Sequence, residues 1–155
     1  MKKKRTRMLG ALMDEYERAS LDLKAILKIL PQEEFEVIKD SQTNSPECRS
    51  IQTLLFHIVQ SGYTYANYIN SVYSDQWFEY DQTINTPQES IVELDKMLGY
   101  TDQVLMDKYD KPMDEIQSWS FDARWGTTFN IEQLLSHAIV HILRHRRQIE
   151  NFLAI

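Results

Sequence analysis

Glycine and proline are scarce, four of each in 155 residues. A protein of many short strands draws on both at its turns, so the scarcity excludes a turn-rich β architecture and favours a few long helices. Cysteine occurs once, at Cys48, which excludes an intrachain disulfide and any Cys-x-x-Cys metal site. Cys48 lies in Asn44-Ser45-Pro46-Glu47-Cys48, just ahead of a predicted helix, and reads as a plain small residue rather than a catalytic thiol. Positive charge is also short, with 17 Lys and Arg against 23 Asp and Glu and a formal net charge of −6. A domain that holds nucleic acid through its overall field carries the opposite sign, so no nucleic-acid partner is expected. The basic opening, Met1-Lys2-Lys3-Lys4-Arg5-Thr6-Arg7, is a short tip and reads as a solvated helix start. No apolar run follows it of the length that a signal-peptide core or a membrane span requires. The expectation is a cytoplasmic protein with no membrane partner.

What is present is ordinary for a globular chain, 43% hydrophobic and 26% charged. A single domain over residues 1–155, with a substantial core, is expected. Helical periodicity runs from about Arg7 to Leu30 and stops at Pro31. A mixed polar segment from Gln32 to Arg49 reads as a crossover. The second helix runs from about Ser50, a plausible N-cap, to Tyr73. Its stripe is Ile51, Leu54, Leu55, Ile58, Tyr65, Ile69 and Val72, and Gly62 marks a close contact. After a loop, Pro87 suits the first turn of a third helix reaching about Tyr109. Asp110 to Thr128 is irregular and aromatic, with Trp119, Phe121 and Trp125, and a fourth helix runs from near Thr128 to the end. The predicted fold is an all-α, antiparallel four-helix bundle with a long crossover.

Several chemistries are missing. There is no phosphate-cradling or dinucleotide-binding glycine pattern, no Gly-x-Ser-x-Gly elbow and no His-Glu-x-x-His. No Glu stands three residues before a histidine, as a ferritin-like di-iron bundle requires.

Histidine is scarce too, but it is concentrated. Three of the four, His137, His141 and His145, are spaced by four on the last helix, and His57 lies on the second. Residues four apart share a helix face, and a third imidazole from a neighbouring helix makes a three-histidine site with an open position. With each residue advancing about 100°, His145 falls roughly 30° from the centre of the last helix's apolar stripe, His141 about 70° and His137 about 110°. His141 and His145 therefore outrank His137 as ligands. His57 lies about 110° from its own stripe, an edge position that permits a ligand without demanding one. Hydrogen-bonded core histidines are the competing reading.

The run Leu134-Leu135-Ser136-His137-Ala138-Ile139-Val140-His141-Ile142-Leu143-Arg144-His145-Arg146-Arg147-Gln148-Ile149 resembles the last helix of the DinB-like (DNA-damage-inducible) bundle family. That helix typically carries a histidine, three residues, then His-Arg-Gly-Gln and an aliphatic residue. Here Arg147 stands in place of the glycine. Ser50 to Ile58 is similar to the family's first ligand helix, and Trp125-Gly126-Thr127-Thr128 to its approach to the fourth. The resemblance implies a metal held by His57, His141 and His145, with His137 flanking or donating a hydrogen bond to orient a ligand.

Three imidazoles suit Zn²⁺, Ni²⁺ or Fe²⁺. Relatives in the wider family use low-molecular-weight thiols such as bacillithiol, mycothiol or glutathione. By resemblance, the leading expectation is a metal-assisted, thiol-dependent transferase acting on a small electrophile. A metal-dependent hydrolase is the runner-up, weakened because Glu132 and Glu150 lie off the histidine face and Asp122 sits in the aromatic loop. A non-catalytic binding bundle is the third reading. Trp119, Phe121 and Trp125 cap the bundle mouth or anchor their loop, and Tyr63, Tyr65 and Tyr68 follow His57 as core residues or as a hydroxyl near the site. Arg124 and Arg144 read first as solvated, with binding of a thiol's carboxylates as the alternative. Exposed aromatics would suit a homodimer.

Overall fold

Four long helices pack around one core in the computed structural model, which describes residues 4–155. They are α1 (Arg7–Ile29), α3 (Ile51–Asn70), α4 (Pro87–Leu105) and α6 (Ile131–Leu153). Two short helices, α2 (Gln32–Glu36) and α5 (Met113–Ser118), lie in the connections, as do the strands β1 (Ser120–Asp122) and β2 (Thr128–Asn130). α1 and α3 each lie against both α4 and α6. The pairs α1/α3 and α4/α6 therefore occupy diagonal corners, and the chain crosses the bundle in both 30–50 and 106–130. The expected crossover is thus one of two.

The predicted stripes face the core. Leu9, Met13, Tyr16, Leu23 and Leu27 of α1 are buried with Leu54, Leu55 and Ile58 of α3, Leu94, Met97 and Leu98 of α4, and Leu134, Leu135 and Ile142 of α6. Gly62 on α3 marks a close approach to Met97 of α4 and Tyr16 of α1. A Cβ there would stand 1.8 Å from Met97 Sδ and 3.1 Å from the Tyr16 hydroxyl. The missing side chain is filled by a neighbour.

Helix starts follow side-chain chemistry. Ser50 caps α3 in a reciprocal box with Thr53, Thr86 accepts from Glu89 N ahead of Pro87, and Asn130 caps α6 in a box with Gln133. Each cap satisfies amide donors that the first turn leaves unpaired. α6 accordingly begins at Ile131, three residues after Thr128, because Thr128 and Asn130 first pair in the hairpin. There Ser120 faces Asn130, Phe121 faces Phe129 and Asp122 faces Thr128. α4 ends at Leu105, short of Tyr109. The buried Lys108 turns its ammonium back onto the Val104 carbonyl at 2.6 Å, a charged cap on a helix C-terminus.

The basic tip departs from expectation where it is described. Arg5 is largely buried and pairs with Asp14 (2.9 Å), Glu17 (2.5 Å) and Asp102 (2.9 Å). The rest of that reading, on Met1, Lys2 and Lys3, lies outside the described residues. Among the described residues no helix is long and apolar enough to cross a membrane.

Candidate metal centre

α3 and α6 are neighbours, and the faces they turn to each other carry His57, His141 and His145. His141 Nε2 lies 3.0 Å from His57 Nε2 and 3.2 Å from His145 Nε2. One ligand nitrogen from each of the three falls within 4.8 Å of the others. An ion about 2.1 Å from two imidazole nitrogens, with an angle of about 90–110° between them, separates those nitrogens by roughly 3.0–3.4 Å. Two edges of the triangle match that spacing. His145 and His141 are 3% and 7% exposed, and His57 and His137 are half-buried. The wheel ranking of the α6 histidines is the order of their burial.

Proton positions follow from the partners. His145 Nδ1 lies 3.1 Å from Gln148 Oε1. An amide oxygen only accepts, so Nδ1 carries the proton and Nε2 turns a bare lone pair toward its neighbours. Burial, more than any other cause, holds all four imidazoles below their ordinary range, and His141 falls to about 2. For His141 the neighbouring imidazoles and Arg144 add to the effect. Neutral rings with converging lone pairs are the form in which histidine ligates a metal. The donor set fits a divalent ion of the Zn²⁺, Ni²⁺ or Fe²⁺ type.

A cleft of about 510 Å³ opens onto this cluster. Its floor includes His57 and His141, and its walls include Glu47, Tyr65, Arg124, Trp125, His137 and Arg144. Trp125 lies near-parallel to His137, with ring centroids 5.9 Å apart and 24° between planes, and Tyr65 stands edge-on to both. The hairpin that presents Arg124 and Trp125 is pinned by the Tyr68 hydroxyl, which accepts from Arg124 N at 2.8 Å. Gly126 turns it at φ +88°, in the left-handed region that glycine adopts without strain.

A family model described as the DinB family matches residues 1–153. The chain belongs to the DinB family. No curated protein matches it.

Within this DinB-family chain, the remaining residues singled out in the sequence sort by distance from the cleft. Trp119 packs edge-on against Tyr73, Phe121 is buried in the hairpin, and only Trp125 of the three reaches the cleft wall. Tyr63 stacks on Tyr80 in the core, whereas Tyr65 faces the cleft. Asp122 is engaged by Thr128 at 2.7 Å, Glu150 holds Arg146 and Arg147, and Glu132 is exposed. Cys48, half-buried, lies outside the cleft lining.

Two roles were missed. His137 makes no hydrogen bond among the described residues, and the group hydrogen-bonded to a candidate ligand is Gln148. Its signal was present, since Gln148 stands three residues after His145 in the run that resembles the family, on one face of the helix. Glu47 is the other. It lines the cleft beside His57, and its charge is felt at both His57 and His145. Its position in the crossover gave no periodicity from which to place it.

Proposed function

We propose that the protein is a metal-dependent enzyme of small-molecule chemistry, and that its reaction is transfer of a low-molecular-weight thiol to an electrophile. One observation carries this reading: three neutral imidazoles converge at ligand spacing beneath an open cleft. His57, His141 and His145, whose Nε2 atoms converge, would hold the ion, and Gln148 fixes the His145 tautomer. When bound, a divalent ion in such a site acts as a Lewis acid that lowers the pKa of a thiol or a water. The chain's own residues supply the rest. Tyr65, Trp125 and His137 shield one side of the cleft from water, and Glu47 offers a carboxylate oxygen to the leaving proton.

Glu47 also favours a second reading, a metal-dependent hydrolase. Such an enzyme needs a carboxylate general base near the nucleophile, and Glu47 supplies one that Glu132, Glu150 and Asp122 do not. The two readings share the ion and differ in the nucleophile.

Metal content of protein purified without a histidine tag tests the shared part. About one ion per chain is expected for the wild type and for His137→Ala, and loss of the ion for His57→Ala, His141→Ala and His145→Ala. A wild type that arrives metal-free and takes up neither Zn²⁺ nor Ni²⁺ would overturn both enzymatic readings. Screening thiols and then activated esters or amides against the loaded protein separates the two.

A further inference from the structure

α6 carries three arginines next to its histidines, and they are partnered unequally. Arg146 is held by Asp22 (3.0 Å) and Glu150 (3.5 Å), and Arg147 by Glu150 (3.3 Å). Arg144 has no ion pair or hydrogen bond among the described residues, although the chain carries a net charge of −6. Acidic groups share its cleft but are not bound to it. Glu79 lies 3.8 Å from Arg124, and Glu47 lies out of ion-pair reach of Arg144. Arg144 borders the cleft with His57 and His141, and its charge acts on all four imidazoles. It is a cation on the cleft lining with no ion pair among the described residues.

The same cleft also carries a flat apolar surface at Trp125. Trp125 is 49% exposed, and its indole lies over His137 in a layer that offers a planar face to anything in the cleft. A ligand anchored at the metal position therefore has a guanidinium fork and an indole face within the same cleft. A guanidinium matches a carboxylate with two parallel hydrogen bonds.

We propose that the cleft selects ligands that carry a carboxylate, with Arg144 receiving that group and Trp125 covering the ligand's apolar part. The inference rests on the metal reading above, because the ion fixes the other end of the ligand. A hydrogen-bonded carboxylate on a partly exposed arginine is expected to discriminate by about 10-fold over a neutral analogue.

Co²⁺-loaded protein allows the test, since a thiol that binds the ion as thiolate gives an intense charge-transfer absorption. The probes are 3-mercaptopropionate and 2-mercaptoethanol, titrated against wild type, Arg144→Gln and Arg144→Lys, with metal content measured in each. The expected result is about 10-fold tighter binding of 3-mercaptopropionate by the wild type. Arg144→Gln removes that preference without losing the ion, and Arg144→Lys keeps part of it.

Equal affinities in the wild type would overturn carboxylate selection and leave the thiol reading standing. A preference that survives in Arg144→Gln would assign it to the ion and overturn the role of Arg144. If neither thiol gives the absorption in cobalt-bearing protein, the thiol reading falls and benzoate against benzamide decides the present inference. It is read by the Co²⁺ visible spectrum and tryptophan fluorescence. Benzoate preference lost in Arg144→Gln supports the inference, and no preference overturns it. Protein that takes up no Co²⁺ overturns both.

Discussion

At the scale of single residues, the three imidazoles of the cluster are held by different means. His141 is fixed by burial and by a ring on each side, His57 by its place at the cleft edge, and His145 by the Gln148 amide. Gln148→Leu removes the acceptor that keeps the His145 proton on Nδ1 while preserving bulk. It is expected to weaken metal affinity by about 10–100-fold, measured by competition with a chelator of known affinity.

Acid should act on the same residues in the metal-free protein. The His141 pKa is about 2 in the folded state against about 6.5 for an unfolded histidine. Between these values the unfolded chain binds the extra proton, so stability falls as pH drops below about 6.5, by up to about 1.4 kcal/mol per pH unit for such a group. Urea unfolding of chelator-treated protein from pH 7 to 4.5 should show a shallower decline for His141→Gln than for wild type. Equal slopes would mean that His141 is not held neutral.

At the scale of elements, the long helices were legible because each carries an apolar stripe at helical period and a recognisable start. Ser50 and Pro87 marked two of those starts correctly. The connections were less legible for a physical reason. Strands of three residues have too few alternations to register as a pattern, and α2, of five residues, is shorter than the windows over which helical periodicity shows. The close contact expected at Gly62 is real, and it makes a prediction about α3 against α4. Gly62→Ala gains helix propensity but drives a methyl into Met97, which is fully buried. A net loss of about 1–3 kcal/mol is expected in chemical denaturation. The Gly62→Ala, Met97→Ala double variant should lose less than the sum of the singles.

At the scale of the whole molecule, family membership and the three-histidine cluster were legible from two short runs, because spacing on a helix fixes which side chains share a face. The adjacency of the two runs followed only from the resemblance, since nothing local specifies which helices are neighbours. The clamp at Arg5 was hidden in the same way. Its three carboxylate partners include Asp102 on α4, 97 residues away in sequence. Arg5→Ala leaves those acids together without their cation, and a loss of about 1–3 kcal/mol is expected. That loss should shrink as salt is raised, because the pairs reach the surface. A difference unaffected by salt would assign the role of Arg5 to packing.

The hairpin at residues 120–130 divides the molecule's labour. The three clustered histidines stand on two long helices whose positions the whole core dictates. Arg124 and Trp125 stand instead on a tight turn that hangs from Tyr68 and bends at Gly126. Residues in such a turn can be exchanged while the histidines stay where they are. The clustered histidines and Arg144 thus stand on long core helices, whereas Trp125, on the same cleft, stands on a turn that the core does not dictate.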